Sequence, residues 1–529
     1  MSDSSSLHQV AKRSQLRDHV PLRVEAGDTP VLLIRDGETV HAYRADCPHA
    51  GAPLEHGAIC HGRLVCPWHK ATFDVSTGAL LEPPALQGLS RYRVELRGDD
   101  VLVSTDALTP APAEEQTPDS GEAKRFAIVG AGAAGAAACA ALRELGFRGR
   151  IVLIDHETTT PYDRTALSKF VPSGELAARD VYPLLDDDFF ADQQIDQKLS
   201  NVATLDARAA EIRFDNETDP LRYDAALIAT GSVPKPPPVR GFDDAAVRGR
   251  VVMLRNVNDA ARIEQWAAAG HRAVVIGGSF IGLEVASSLR KRGLDVTVVS
   301  PERVPFAKQF GDEIGALFMQ LHRQNGTTLE MDTQVEAIEP GEPLTVRTKN
   351  GKQFACDFVV AGTGVTPATS FVAGVGRNDD GGLNVDASMR VAPNLFAAGD
   401  VACFETQGGQ RIRIEHWRVA QQQARAAARG MLGLDARQPA VPFFWTYHYG
   451  KRFDYLGHAR AGDWDSCLTL GEPERYAFVT LYCRDGRVIA ALGCERETAI
   501  ALLAEAMREP LPADDARRIV EQADNGDAG

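Results

Sequence analysis

One pattern occurs twice in this chain and constrains its fold more than any other: an apolar strand, a glycine-rich turn and a helix of small residues, at 126–142 and again at 273–290. In the first copy, Gly130-Ala131-Gly132-Ala133-Ala134-Gly135 follows the apolar run 126–129. The first glycine permits a tight turn, the second lets backbone approach a pyrophosphate, and the third lets the helix pack on its strand. The helix N-terminus then faces the phosphate charge. An acid some 20–25 residues on is expected at the ribose. Asp155, closing the run 151–154, is that acid, with His156 and Glu157 directly after it. In the second copy, Gly277-Gly278-Ser279-Phe280-Ile281-Gly282 follows 273–276. Ser279 replaces the middle glycine and is small enough to keep the close approach. Ser300 stands where the ribose acid is expected, followed by Glu302 and Arg303. Glu302 suits the ribose of NADH, whereas Arg303 would tolerate a 2′-phosphate. The reading favours NADH, with NADPH open.

Between and after these units, strand-like and helical runs alternate (IVLID, AALIATG, DVTVVS, DFVVAGTG, LFAAGD), which predicts parallel α/β domains. The flanks read differently. Residues 22–104 hold short β-rich runs at 31–34, 40–43, 92–96 and 101–104 with Asp-Gly or Gly-Asp turns, predicting a small all-β domain. The stretch ALTPAPAEEQTPDSGEA at 107–123 has no apolar period and predicts an extended linker. After about 431 strands return at 477–483 and 488–494, with a helix at 498–507, and the residues after Pro510 are expected to fray. A formal charge of −15 argues against non-specific nucleic-acid binding. The longest uncharged apolar run, 126–142, is shorter than the roughly 20 residues of a spanning helix and carries the glycine pattern, so no membrane segment is expected. No secretory leader is read at the start, nine cysteines are scattered through the 529 residues, and a cytoplasmic protein with reduced thiols is predicted.

Within the β-rich N-terminal part, Cys47-Pro48-His49 is followed after 16 residues by Cys66-Pro67-Trp68-His69. Each half offers one thiolate and one imidazole. In a Rieske [2Fe–2S] centre two cysteines hold one iron and two histidines the other, and neutral imidazoles raise the potential. A Cys₂His₂ zinc site is the alternative, although zinc fingers usually group the cysteines in one half and the histidines in the other. Cys60 and His61, between the loops, read as surface or packing residues. The segment CPHAGAPLEHG…CPWHKATFDVSTG resembles the two cluster loops of Rieske ferredoxins. Ala52 and Trp68 stand where high-potential members carry an inter-loop disulfide, so the resemblance is to the lower-potential branch.

The two nested dinucleotide units resemble two-dinucleotide flavoprotein reductases, the first for FAD and the second for NAD(P)H. Ala229-Thr230-Gly231 and Gly362-x-Gly364-x-x-Pro367 look like strand ends returning from each unit, and Leu395–Asp400 resembles the second FAD motif, in which Asp400 binds the ribityl chain. No cysteine pair lies in Pro161–Lys169, and Cys139 reads as core, which argues against a disulfide-exchanging activity. That stretch, PYDRTALSK, resembles the P-Y-x-R-P-P-L-S-K motif of oxygenase-serving ferredoxin reductases and of the apoptosis-inducing-factor family, with Thr165 and Ala166 in place of two prolines. The resemblance implies Arg164 near FAD and Lys169 beside the flavin ring, paired with Glu284, these two forming the catalytic pair. It also implies Trp417, in Glu415-His416-Trp417, over the pyrimidine edge. VPFFWTYHYGKRFDYLGHA is similar to the family's third domain.

The fold class implied is multidomain: an N-terminal all-β Rieske domain (7–106), a linker (107–123), a discontinuous FAD-binding Rossmann-like domain (124–245 and 358–430), a nested NAD(P)-binding one (246–357), a C-terminal α+β domain (431–515) and a tail (516–529). The function implied is an NAD(P)H-dependent, ferredoxin–NAD(+) reductase-like enzyme passing electrons through FAD to the Rieske cluster and on to an external ferredoxin, cytochrome or oxygenase. The linker is expected to let the Rieske domain dock by the flavin and then present itself to that acceptor. The alternatives are the electron-supply component of a Rieske oxygenase system and an NADH-responsive redox sensor. Either a monomer or a dimer fits.

Overall fold

The computed structural model describes residues 7–108, 123–186, 188–406, 409–435 and 441–524. The N-terminal part is all-β. A six-stranded antiparallel sheet runs in the order Leu7–Lys12, Asp100–Leu108, Arg91–Arg97, Thr39–Arg44, Thr29–Asp36, Leu22–Ala26. A four-stranded antiparallel sheet, Ala58–Cys60, Arg63–Val65, Thr72–Asp74, Leu80–Glu82, carries the two cluster loops at its ends. The expected linker begins two residues late, because Ala107 and Leu108 still pair with Tyr92 and Arg91. Most of the predicted linker, 109–122, lies outside the described residues.

The first glycine unit opens a sheet ordered Ile195–Leu199, Arg150–Asp155, Arg125–Val129, Ala225–Ile228, Leu395–Ala397, Arg390–Ala392, parallel except at its last edge. Helix Ala133–Glu144 packs against helix Trp417–Met431. Ala136, Ala137 and Ala141 on one, with Ala424, Ala427 and Ala428 on the other, are buried, and these short side chains let the two backbones approach. The second unit lies in a five-stranded parallel sheet, Val251–Val252, Phe358–Ala361, Arg272–Ile276, Asp295–Val299, Thr328–Glu330. Strand Phe358–Ala361 therefore belongs with the nicotinamide-type sheet, not with the FAD half to which the boundary at 358 assigns it. It pairs in parallel with Arg272–Ile276, Val274 opposite Val359. The chain crosses back only afterwards, through Val365–Pro367, which pairs with Ser232–Pro234.

The C-terminal part is a five-stranded antiparallel sheet, Phe443–His448, Lys451–Gly457, Arg487–Cys494, Ala477–Arg484, Ser466–Glu472, with helix Glu497–Ala506 against it. The expected fraying after Pro510 and the tail from 516 are corrected: Ala513–Asp524 is a helix, with Ala516 and Val520 buried against Leu503 and its neighbours. Among the described residues no helix is long and apolar enough to cross a membrane.

Candidate functional site

The two cluster loops are built alike. The Cys47 N–H donates to the Ala52 carbonyl and the Cys66 N–H to that of Ala71, each at 2.8 Å. Gly51 N–H returns to the Cys47 carbonyl at 2.9 Å, and Lys70 N–H to that of Cys66 at 3.2 Å. Gly51 and Lys70 occupy the same left-handed position in each loop, with φ of 72° and 61°. These turns bring the four donors together as two pairs. The buried thiols of Cys47 and Cys66 are hydrogen-bonded to each other, and His49 Nδ1 lies 3.1 Å from His69 Nδ1. Burial holds both imidazoles below their ordinary range, which keeps them in the neutral form that ligates iron. Among the described residues no three such groups converge on one point. Separate sulfur and nitrogen pairs are what a two-iron centre requires, and a single zinc ion would need one shared point.

A cavity of about 840 Å³ lies between the two α/β sheets and the C-terminal sheet. Gly130, Gly132, Asp155, Arg164, Lys169, Glu284, Asp400 and Trp417 all line it. Gly130 has φ 101°, and a Cβ there would sit 2.4 Å from the Ala229 carbonyl; at Gly135 it would sit 1.9 Å from that of Gly130. Gly132, by contrast, meets nothing nearer than Arg164 Nε at 4.0 Å, so it is the glycine open to a ligand. Asp155 accepts from the Ala131 N–H at 3.1 Å and so braces the turn itself. Burial raises the Asp155 pKa, but hydrogen bonds from His156 and Glu157 outweigh it and hold the carboxyl below its ordinary value. Glu157, two residues on, lines the same wall; it pairs with Arg164 at 2.6 Å and accepts from Tyr162 OH at 2.8 Å.

Lys169 and Glu284, both buried, lie 3.1 Å apart. After Thr165, residues Ala166–Lys169 close a buried helical turn. Ser168 Oγ also donates to Glu284, at 2.5 Å. His416 Nδ1 and Trp417 Nε1, on the cavity wall, are buried polar atoms without a partner among the described residues, as expected of a wall that receives a polar ligand. Cys139 is fully buried in the core.

Gly277, Gly278, Gly282 and Glu302 lie outside this wall, although Phe280 and Ile281 from the same turn line it. A Cβ at Gly282 would sit 2.3 Å from the Gly277 carbonyl, repeating the close packing of the first unit. The departure at Ser279 is accommodated: its hydroxyl caps the Gly282 N–H at 3.3 Å and donates to the Gly362 carbonyl at 2.9 Å. Ser300 Oγ accepts from the Gly278 N–H at 3.1 Å and donates to Glu302 at 2.5 Å, while Arg303 turns to Asp312 at 2.8 Å.

Several residues at this site were not singled out from the sequence. Arg255 lies 3.6 Å from Asp400 across the cavity. Trp445 lines the cavity, its ring centroid 5.9 Å from Lys169 Nζ, and it also meets the His69 ring with centroids 4.3 Å apart. The Rieske part is thus seated against the reductase, and buried charges hold it there. Fully buried Lys70 pairs with Asp454 at 3.2 Å, and Asp454 pairs with Arg452 at 3.0 Å. Arg418 donates to the carbonyls of Pro83 (2.7 Å), Lys70 (3.1 Å) and Val441 (3.1 Å). The density of aromatics in FFWTYHY was the one signal for Trp445; nothing marked Arg418 or Asp454.

Two α/β sheets with matched glycine turns, the first opening on one large cavity, and an iron-type donor set packed through His69 against Trp445 on its wall define a two-dinucleotide oxidoreductase with an attached Rieske domain. Residues 124–424 match pyridine nucleotide-disulphide oxidoreductase and residues 6–93 match the Rieske [2Fe-2S] domain, and the chain belongs to the pyridine nucleotide-disulphide oxidoreductase family. It is 34% identical over 501 residues to apoptosis-inducing factor 3 of Mus musculus, covering 92% of this chain and 81% of that one. It is 34% identical over 373 residues to the anthranilate 1,2-dioxygenase system ferredoxin--NAD(+) reductase component of Burkholderia cepacia, covering 69% and 89%. The covalent putidaredoxin reductase-putidaredoxin complex superposes with a TM-score of 0.70 at 27% identity, covering 76% of this chain and 98% of that one. FAD, a [2Fe–2S] cluster and NAD(P)H are the cofactors and co-substrate of this architecture.

Proposed function

We propose that this chain oxidises NADH and delivers the electrons, through FAD in the 840 Å³ cavity, to its own Rieske domain and from there to an external ferredoxin, cytochrome or oxygenase. A bound flavin supplies the exchange between a two-electron hydride and the single electrons that an iron–sulfur centre carries. The protein residues bind and orient. Gly132 leaves room for a pyrophosphate over the helix N-terminus, Gly130 and Gly135 allow the tight turn and the close helix packing that put it there, and Asp155 or Glu157 lies at the ribose, Arg164 nearby and Asp400 at the ribityl chain. Lys169 brings a positive charge that attracts negative charge on the ring, and Glu284 fixes its position. Trp417 covers the pyrimidine edge. Gly277, Gly278 and Gly282 receive the nicotinamide dinucleotide, and Glu302, linked to the turn through Ser300, favours a free 2′-hydroxyl. Cys47, Cys66, His49 and His69 hold the cluster.

One observation carries this reading: Trp445 lines the cavity and also packs against the cluster ligand His69. None of the nine cysteines is disulfide-bonded, and two of them are the cluster donors. The names of the relatives among dioxygenase-system reductase components favour an oxygenase system as the second reading of the acceptor. The test is anaerobic titration of the full-length holoprotein with NADH and, in parallel, NADPH, followed by visible and EPR spectra. Flavin bleaching followed by a reduced Rieske signal is expected, at lower concentrations of NADH than of NADPH. Bleaching without any Rieske signal would refute the internal transfer.

A further inference from the structure

Behind Glu284, on the side away from the cavity, a line of buried polar groups runs through an otherwise aromatic core. Thr446 Oγ1 lies 2.7 Å from Glu284 Oε1 and 2.8 Å from His448 Nε2. His448 Nδ1 lies 3.3 Å from His322 Nε2, and His322 Nδ1 lies 3.3 Å from Tyr449 OH. Tyr449 OH lies 2.5 Å from Thr327 Oγ1. Glu284, Thr446, His448, His322 and Thr327 are buried, and Tyr449 is half-buried, where the line reaches the surface. The rings of Phe306, Phe318 and Phe453 surround His448. Burying two imidazoles among phenylalanines costs free energy that apolar residues of similar size would avoid.

The donor order along the line is fixed by chemistry. The Glu284 carboxylate only accepts, so Thr446 donates to it. The Thr446 oxygen then accepts from His448, which must carry its proton on Nε2. A neutral ring has one N–H, so His448 Nδ1 accepts from His322 Nε2, and His322 Nδ1 accepts from Tyr449, whose oxygen accepts from Thr327. Every hydrogen bond points toward Glu284. The charged and polar groups facing the line are Lys169, Ser168 and the Tyr447 N–H around Glu284, Lys169 and the Leu283 carbonyl at His448, and Arg290 at Tyr449. Burial holds both imidazoles far below their ordinary range and lifts the Tyr449 hydroxyl to about 12, so all three are neutral at pH 7.

We propose that Thr446, His448, His322 and Tyr449 form a proton relay between the Lys169–Glu284 pair and the surface. The proposal rests on the reading that Lys169 and Glu284 serve the flavin. Oxidation of one NADH gives NAD⁺, two electrons and one proton. A carrier that takes electrons alone leaves that proton behind, so one proton per NADH must leave the site. The line behind Glu284 offers that proton a way out that does not cross the cavity. In the loaded line the order is reversed: protonated Glu284 donates to Thr446, Thr446 to His448 Nε2, His448 from Nδ1 to His322 Nε2, and His322 from Nδ1 to Tyr449, which gives its own proton to solvent. Each group takes one proton and gives up another, and the transfer leaves the donor order drawn above, with Glu284 again a carboxylate.

The test uses the full-length holoprotein. ¹⁵N spectra of labelled histidine, assigned with His448→Phe and His322→Phe, are expected to show both rings neutral and protonated on Nε2 from pH 5 to 8. A proton on Nδ1 of either ring breaks the donor order and overturns the relay. In stopped-flow oxidation of NADH-reduced protein by ferricyanide, the wild type is expected to slow in D₂O. His448→Phe is expected to slow this step by roughly 10²-fold, the lower end for a lost acid–base group. Tyr449→Phe, at the half-buried end, gives the same comparison should His448→Phe not fold. Wild-type rates and isotope effects in both variants would overturn the proposal. Lys169→Met separates the two readings: if NADH bleaches it at the wild-type rate, the flavin-site reading falls, whatever the histidines show.

Discussion

Asp454 is the anion at the seam between the Rieske domain and the reductase, and removing it gives a sharp test of how the two are held. It faces Lys70 from one domain and Arg452 from the other, and Lys70 is fully buried directly after the cluster ligand His69. In Asp454→Ala the Lys70 ammonium loses its counter-charge while remaining out of water. Breaking a buried pair by removing one partner costs about 3–5 kcal/mol. Lys70 can lessen this by moving outward or shedding its proton, since burial already pushes its pKa down, so the lower end applies. About 3 kcal/mol weakens docking by roughly 10²-fold, at about 1.4 kcal/mol per factor of ten. The assay is paired: small-angle scattering for the compactness of the holoprotein, and stopped-flow for the interval between flavin bleaching and cluster reduction. Asp454→Ala is expected to expand the particle and lengthen that interval. The penalty belongs to the orphaned charge and not to the lost contact, so Lys70→Met combined with Asp454→Leu should recover most of both. If the double variant is no better than the single one, or if the single one is as compact and fast as wild type, the reasoning fails.

Trp445→Ala removes the ring between Lys169 and His69; rapid-freeze EPR after mixing with NADH should show cluster reduction slowed far more than flavin bleaching. Glu302→Ala removes the acceptor tied through Ser300 to the second glycine turn; a hydrogen bond to a charged group contributes about 1.5–3 kcal/mol, so the ratio of kcat/KM for NADH over NADPH should fall by roughly 10–100-fold, and an unchanged ratio would remove Glu302 from the site. His448 has a folded pKa of about 3 against 6.5 for the free group, because burial and the Lys169 ammonium disfavour its charged form. The unfolded chain therefore binds a proton that the folded one does not between those values, so this contribution is complete above pH 6.5 and is lost as pH falls toward 3. By pH 5 the loss is about 2 kcal/mol, and His448→Gln should flatten that part of a denaturant-midpoint profile.

The features legible in the sequence are those where chemistry ties a residue type to a fixed spacing. A thiolate and an imidazole two or three positions apart are held by one turn, and a glycine is needed wherever a Cβ would meet a carbonyl, as at Gly135 and Gly282. The pairing of Lys169 with Glu284 spans 115 residues, and only family resemblance pointed to it. Strand Phe358–Ala361 was assigned to the wrong sheet because a short apolar run fits the centre of either; its partner, Arg272–Ile276, is chosen by tertiary packing. The terminal helix did leave a signal that charge density hid. Ala516, Ile519, Val520 and Ala523 recur at helical spacing and pack on the C-terminal core. The docking contacts left none, since Arg418 reaches carbonyls of Lys70 and Pro83 over more than 330 residues, and a backbone acceptor has no residue type to recognise.

The seated Rieske domain also decides where electrons can leave. The His69 ring packs against Trp445 on the cavity wall, so the docked Rieske domain occupies the approach to the cavity past that ring. His69 lies between two tryptophans. Trp445 faces inward, and Trp68, with ring centroids 6.3 Å from His69, is 37% exposed. The cluster ligands thus have one edge on the reductase and one edge beside the surface. On the function proposed above, an outside acceptor is expected to take electrons at the Trp68 edge without the domain first swinging away, and Trp68→Ala should then slow turnover with an external protein acceptor while leaving the NADH-driven reduction of the cluster at the wild-type rate. The Lys70–Asp454–Arg452 charges, costly to separate, are consistent with a domain that stays seated through turnover.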